Sequence, residues 1–176
     1  MYNEIINIII WICLAVFVAF TYVIAFGAPF LPTLRARTGE ALDMLNLDPG
    51  QTLLELGSGD GRILRAAAER GVYAIGYELN PLLVLWSKLH TWRYRRLISI
   101  RWGNYWRGEL PPTDAIYVFL LKPYMQKLDK KIIQDYKDPV KLVSFGFTIP
   151  NKTPAAELNG LYLYLYNGER ESVRAG

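Results

Sequence analysis

A chain of 176 residues with 20 basic and 16 acidic side chains, a formal charge of +4, has room for one domain of ordinary size and little else. Its single cysteine, Cys13, excludes an internal disulfide and a cysteine-based zinc cage, and its single histidine, His90, excludes a histidine-rich metal site. Glu4 is the only charged side chain before Arg35, so the beginning of the chain differs in kind from the rest.

From Ile5 to Phe26 the run IINIIIWICLAVFVAFTYVIAF carries no charge. Helical residues rise about 1.5 Å each, so a run of this length covers a hydrocarbon core of roughly 30 Å. The reading is a transmembrane helix over 5–26. A cleaved signal peptide is the rival, but the leader MYNE has no basic residue, the apolar stretch is long for such a peptide, and the exit is Gly27-Ala28-Pro29-Phe30. Arg35 and Arg37 follow the span and Glu4 precedes it, which predicts a single-pass membrane protein with its domain on the cytoplasmic side, or the equivalent side of an organelle. The absence of arginine before residue 35 disfavours a mitochondrial presequence.

Pro29 and Pro32 punctuate a linker over 27–34, and the domain is read as 35–176. Ala41, Leu42 and Leu45 predict a one-sided helix from Arg35 to Leu47, ended by Asp48-Pro49-Gly50. Then strand, loop and helix alternate: Thr52 to Leu56, a helix from Arg62 to Glu69 closed by Gly71, and a strand from Val72 to Tyr77. This is the rhythm of a parallel sheet in an α/β domain. Pro81 suits the first turn of a third helix, whose Leu82, Leu85, Trp86 and Leu89 share one face and are read as core. His90 and Lys88 are read as surface. Leu97 to Trp102 and Ala115 to Leu121 are the next strands, and Met125, Leu128, Ile132 and Tyr136 the buried stripe of the helix after them. That helix's lysines, Lys127, Lys130, Lys131 and Lys137, read as a solvated face. Lys141 to Phe147 is a fifth strand, and Leu161 to Tyr166 alternates as a late one, with only a loop containing Pro150 and Pro154 between them.

The most informative stretch is Leu53-Leu54-Glu55-Leu56-Gly57-Ser58-Gly59-Asp60-Gly61-Arg62, an apolar strand that breaks into alternating glycines. Glycines there let backbone amides approach a ligand closely while the chain turns into a helix. Glu78, at the end of the next apolar run, places a carboxylate where it can bind the two hydroxyls of a ribose. The dinucleotide fingerprint G-x-G-x-x-G requires a glycine where Arg62 stands, which disfavours a nicotinamide cofactor. An ordinary strand-to-helix turn would explain the glycines but leaves Glu78 and Asn104 without a role.

The G-x-G-x-G form behind Glu55 resembles the first motif of class I S-adenosylmethionine-dependent methyltransferases, a Rossmann-like α/β fold. More narrowly, the chain resembles the small protein-lysine methyltransferases that act on the ATP synthase c-subunit and the adenine nucleotide translocase, with their archaeal relatives. The likeness runs through the apolar N-terminal span, Pro29-Phe30-Leu31-Pro32-Thr33, the glycine loop, Gly76-Tyr77-Glu78-Leu79-Asn80-Pro81 leading to Trp86-Ser87, Asn104-Tyr105-Trp106, and Phe147-Thr148-Ile149-Pro150. It implies a cofactor-binding set of Glu55, Gly57, Ser58, Gly59, Asp60, Gly61, Glu78, Leu79, Asn104 and Tyr105. In that set Glu55 and Gly57 serve the methionine moiety, Glu78 the ribose and Asn104 the adenine amino group, and Leu79 and Tyr105 flank the ring. Pro32 and Thr33 would belong to a lid, and Tyr124 and Phe147 to the wall of an acceptor channel; for both aromatics core packing is the competing reading. No catalytic residue and no metal are implied. Such a domain usually has seven strands with a helix after the fifth, so this copy looks pared down, and the segment Leu120-Leu121-Lys122-Pro123-Tyr124-Met125 departs from the mitochondrial members at the edge where acceptors sit.

Methyl transfer to an amine asks the protein mainly to place a neutral lysine nitrogen in line with the methyl group. A lysine with an ordinary pKa of about 10.4 must first lose its proton, which partial burial and a nearby positive charge favour. The expected partners are the bilayer and a protein lysine, most simply in a membrane protein. A lipid or quinone-like acceptor, and a non-catalytic cofactor-binding module, are the alternatives. The basic residues Lys88, Arg93, Arg95, Arg96, Arg101 and Arg107, interleaved with Trp92, Tyr94, Trp102 and Trp106, could serve nucleic acid, lipid headgroups or solvent alone. Membrane tethering disfavours the first.

Overall fold

The computed structural model describes residues 2–26 and 35–167. Helix α1 (Tyr2–Phe26) is followed by α2 (Arg35–Leu45), β1 (Thr52–Leu56), α3 (Arg62–Glu69), β2 (Tyr73–Glu78) and α4 (Pro81–His90). A 3-10 turn (Trp92–Tyr94) leads to β3 (Ile98–Trp102), β4 (Ala115–Phe119), α5 (Lys122–Asp135), β5 (Val140–Phe145), β6 (Ala156–Leu158) and β7 (Leu161–Tyr166). The seven strands form one sheet in the order β3-β2-β1-β4-β5-β7-β6. The five strands from β3 to β5 in that order run parallel, and β7 is antiparallel to both β5 and β6.

The order reverses between β1 and β4, and in open α/β sheets such a switch point leaves a crevice at the carboxyl ends of the strands. The glycine loop starts where β1 ends, so it lies at that crevice. Two cores pack the sheet against its helices. One gathers α2, α3 and Val84 of α4 on Leu53, Ala74, Ile100, Ala115, Tyr117 and Val143. The other gathers Met125, Leu128 and Ile132 of α5 on Leu54, Leu56, Ile116, Val118, Leu142 and Tyr164. Residues alternate between the two along each strand, as the pleat demands.

The reading of the strands and of α5 agrees with the structure to within two residues at most boundaries. Helix α4 does not agree with its expected packing. It buries only Val84 and Ser87, and Leu82, Leu85, Trp86 and Leu89 are exposed, because the strand-facing side of α4 is the short one that closes on Gly61. Lys131 is not on a freely solvated face either, since its ammonium pairs with Asp135 at 2.8 Å and donates to the Gly108 carbonyl at 2.7 Å. Between β5 and β7 the chain forms a short strand, β6, turned into β7 by Asn159 and Gly160 at positive φ. That is the Asn-Gly turn of a two-residue hairpin. Among the described residues no helix follows β5. Two side-chain bonds fix the intervening loop, Ile149 N–H to the Tyr164 hydroxyl at 2.9 Å and Lys152 to Asp129 at 2.8 Å, and the Tyr166 hydroxyl of β7 donates to the same Asp129 at 2.7 Å.

The described side chains of α1, at 2, 4–14 and 17, are all exposed. Counted over described residues alone, no helix is long and apolar enough to cross a membrane. The backbone of α1 nevertheless runs unbroken for 25 residues.

One contact in the fold is unusually unforgiving. A Cβ on Gly76, in β2, would stand 2.6 Å from the Leu64 side chain and 2.7 Å from Ser58 Cβ. Gly76→Ala should therefore push the glycine loop off the sheet and cost about 1–3 kcal/mol, read as a lowered midpoint in urea or thermal unfolding. A variant as stable as the parent would show that the loop yields freely.

Candidate functional site

The end of β1 and the end of β2 are tied to one loop. Gly57 and Ser58 both donate backbone N–H to the Tyr77 carbonyl at 2.9 Å, and Gly57 takes φ +90°, a conformation that an L side chain rarely adopts. The Glu78 carboxylate accepts from the Gly59 N–H at 2.8 Å with one oxygen and from the Asn80 N–H at 2.8 Å with the other. Each oxygen retains a further lone pair, so the group can still receive two hydroxyls. Asn80 caps α4 by accepting from the Leu82 N–H at 2.9 Å, with Pro81 at the first helical position. Gly61, at φ +77°, opens α3 without a side-chain cap and presses on α4, where a Cβ would meet Ser87 and Thr91 at 3.1 Å.

Three carboxylates surround this loop. Asp60 is clasped by Arg62, with contacts down to 2.6 Å. Burial pushes the Asp60 carboxyl up, but the Arg62 guanidinium beside it leaves the group below its ordinary value. Glu55 differs. It is buried on the α3 side of β1, and burial first, then the charges of Asp60 and Glu78, push its carboxyl well above the usual range, against a smaller lowering by the Leu64 N–H. The Arg62 charge also pulls it down, but by less than burial and the two carboxylates push it up. Among the described residues its Oε2 has no hydrogen-bond partner, and neither does the buried Ser58 hydroxyl. Among the described residues no three His, Cys, Asp or Glu side chains are arranged to hold a metal ion.

Most of the remaining candidates lie within reach. Tyr105 is buried, with burial and the Glu78 charge pushing its hydroxyl up, and its ring lies 4.8 Å from Trp106. Trp106 in turn lies 6.4 Å from Tyr124, so Tyr124 joins the group through the indole. Leu79 and Asn104 are half-buried. Asn104 Oδ1 already accepts from the Trp106 N–H at 2.9 Å, so an adenine amino group would share that oxygen. Phe147 sits on the β5 side, where its carbonyl accepts from the Ser144 hydroxyl at 2.8 Å. Pro32 and Thr33 lie outside the described residues. Sequence reasoning gave no role to Gly76, although a lone glycine inside a strand signals close approach of another segment. It also gave none to Arg62, the one cation on the loop.

A cavity of about 450 Å³ opens behind the loop, lined by Thr38, Asp60, Gly61, Arg62, Arg65 and Thr91 among others. It does not include Glu78, Asn104 or Tyr105. The strand ends, where Glu78 and the positive-φ glycines converge, are the better seat for a nucleoside.

Glu55 yields a pH prediction. Its raised folded-state pKa means that the folded chain holds more protons than the unfolded one between the two values, so stability falls as pH rises through that window. Glu55→Gln should flatten the fall and raise the ligand-free melting midpoint at neutral pH by a few degrees, at about 2–4 °C per kcal/mol. A parent chain whose melting midpoint is constant from weakly acid to neutral pH would contradict this.

Comparison with known proteins sets the chain in a family. Residues 55–156, 102 of 176 and so more than half, match the model of the family described as ANTKMT methyltransferase domain. The chain is 33% identical over 128 residues to human (Homo sapiens) ATP synthase c-subunit lysine N-methyltransferase, covering 72% of this chain and 54% of that protein. It is 34% identical over 131 residues to mouse (Mus musculus) adenine nucleotide translocase lysine N-methyltransferase, covering 73% and 57%. The chain thus spans little more than half the length of these relatives. Among solved structures, an RNA methyltransferase from Salinibacter ruber in complex with S-adenosyl-L-homocysteine superposes with a TM-score of 0.70 at 26% identity, covering 77% of this chain and 92% of that one. The fold is the class I Rossmann-like methyltransferase fold, and the chain belongs to the ANTKMT methyltransferase domain family.

Proposed function

We propose that the chain is an S-adenosylmethionine-dependent methyltransferase whose acceptor is a lysine of a membrane protein. The observation that carries this reading is the glycine loop locked onto Glu78 at the switch point of the sheet, beside a buried acid, Glu55, whose Oε2 has no hydrogen-bond partner among the described residues. The residues fit the cofactor. S-adenosylmethionine has an ammonium and a sulfonium to offset Glu55, two ribose hydroxyls for Glu78, and an adenine for the Leu79 and Tyr105 side of the cleft. When bound, it supplies an electrophilic methyl group.

The protein's own part is placement. Glu55 and the loop, Gly57 to Gly61, would hold the methionine end, Glu78 the ribose and Asn104 the adenine edge. Tyr124 and Phe147 are the proposed walls of the acceptor channel, near the ends of β4 and β5, and Pro32 and Thr33 its lid. A lysine entering there sheds water, which favours its neutral form. The named substrates of the relatives, the ATP synthase c-subunit and adenine nucleotide translocase, support a lysine acceptor.

The anchor belongs to the same reading. Helix α1 is 25 residues long, its segment 5–26 has no charge, and its described apolar side chains, among them Ile8, Trp11 and Phe17, are exposed. A lipid core is the solvent that suits such a helix. We infer a span over 5–26, a linker and lid over 27–34 and a domain over 35–176, on the cytoplasmic or organelle-equivalent side.

Glu78→Gln should weaken S-adenosylmethionine binding about tenfold or more, since hydrogen bonds to a charged group contribute about 1.5–3 kcal/mol; calorimetric titration measures it, and an unchanged Kd places the ribose elsewhere. Incubating the protein with methyl-labelled S-adenosylmethionine and membranes of its own source should label protein lysine. Label confined to the lipid extract, or to RNA as in the Salinibacter neighbour, would replace the acceptor.

A chain beginning at Gly27 should bind cofactor as before and methylate a soluble target peptide. Its rate on the membrane-embedded acceptor should fall by about 10²-fold, the lower end of what linking two binding events contributes. Equal rates on the embedded acceptor would remove the helix from substrate selection.

A further inference from the structure

Helix α4 faces the sheet with Val84 and Ser87, and its opposite side carries Leu82, Leu85, Trp86 and Leu89, each between 48% and 64% exposed. Their i, i+3, i+4, i+7 spacing makes one outward stripe. The stripe is extended at both ends. Trp92, in the 3-10 turn after α4, is 64% exposed, and Trp102, the last residue of β3, is 69% exposed. The Trp102 indole N–H donates to the Leu79 carbonyl at 3.0 Å, which holds that ring against the start of α4. Scattered apolar residues are normal on a surface; six large ones in a continuous strip, three of them tryptophans, mark an interaction face.

The charges around the strip have one sign. Between Glu78 and Glu109 the sequence has no acidic residue, and Lys88, Arg93, Arg95 and Arg96 flank the strip as exposed cations. The Arg95 guanidinium lies 5.0 Å from the centre of the Trp92 ring, so its charge sits at the aromatic edge of the face. Arg101 does not belong, since it turns to the Tyr77 hydroxyl at 3.0 Å. The neighbouring acid, Glu69, is engaged by Arg65 and by the Tyr94 hydroxyl.

Leucines between tryptophans, with cations and no acids beside them, match the layering of an anionic bilayer surface: acyl chains, an interfacial belt suited to indoles, then phosphates. The outward side of a single helix is convex, which suits a surface that yields around it. We propose that this face of α4, with Trp92 and Trp102, docks on anionic lipid, as a membrane contact separate from α1 and independent of what the acceptor is.

The test uses the full chain with Cys13→Ser and one new cysteine, Leu85→Cys, bearing an environment-sensitive fluorophore. It is added to vesicles of phosphatidylcholine alone, or of phosphatidylcholine mixed with phosphatidylserine, each with brominated acyl chains as quencher. A control carries the fluorophore through Glu157→Cys, exposed on β6 at the opposite edge of the sheet. The expected result is a blue shift and quenching at position 85 with phosphatidylserine vesicles only, and neither at position 157. Each of Arg93→Ala, Arg95→Ala and Arg96→Ala should weaken the docking equilibrium about fivefold, from about 1 kcal/mol per cation near such a surface. A water-exposed position 85 on both lipids, equal quenching on both, or shielding that requires an added membrane protein would each overturn the proposal, the last in favour of a protein partner. Flotation with the neutral vesicles reports α1 by itself, so failure of the anchor is distinguishable from failure of the docking face.

Discussion

The carboxylate of Glu78 is the constraint on which the site depends. It is buried, and the two backbone N–H groups that stabilise it come from the glycine loop after β1 and from the entry to α4. One side chain therefore fixes where the loop turns and where the next helix begins. A buried carboxylate held by backbone donors is costly to disturb, because each donor left behind is itself unsatisfied. Gly76 and Gly61 complete the arrangement by having no side chain: Leu64 and Ser58 occupy the space above one, and α4 closes on the other. Rigidity here follows from bonds and from missing atoms together.

That same geometry concentrates negative charge. Glu55, Asp60 and Glu78 lie around one loop, and Arg62, which clasps Asp60, offsets the Glu55 charge only in small part. The ligand-free fold bears this cost at Glu55, whose carboxyl is driven toward its neutral form. On the function proposed above, the cost is relieved when a cationic ligand arrives, so part of the cofactor's affinity comes from removing a defect. This is the familiar exchange of stability for readiness at a functional site.

The βαβ rhythm, the glycine loop and Glu78 are legible in the sequence because each leaves a local mark: an apolar run of strand length, a glycine where the chain must turn, an acid at a strand end. The period of α4 is equally legible, yet the apolar stripe that reads as core lies on the surface. Periodicity finds a helix's apolar side without saying what covers it, and here the sheet takes up the side of Val84 and Ser87. The hairpin β6-β7 has its signal in Asn159-Gly160, but a three-residue strand is too short to show alternation. Tyr166 reaching Asp129 and Lys131 reaching the Gly108 carbonyl are set by tertiary neighbours, and no local pattern announces them.

The α4 face bears on how a domain tethered as proposed above would work. A single helix in a bilayer fixes the height of whatever follows it and leaves rotation about the membrane normal and tilt of the domain free. A second contact at a defined place removes much of that freedom, and the freedom removed is entropy that need not be lost again when an acceptor binds. Here the second contact would lie against β3, at one edge of the sheet, whereas the proposed acceptor edge lies at the ends of β4 and β5, further along it. Docking one edge of a seven-stranded sheet would therefore leave the acceptor end clear of the lipid patch beneath α4. The cleft could then meet a membrane protein from the side.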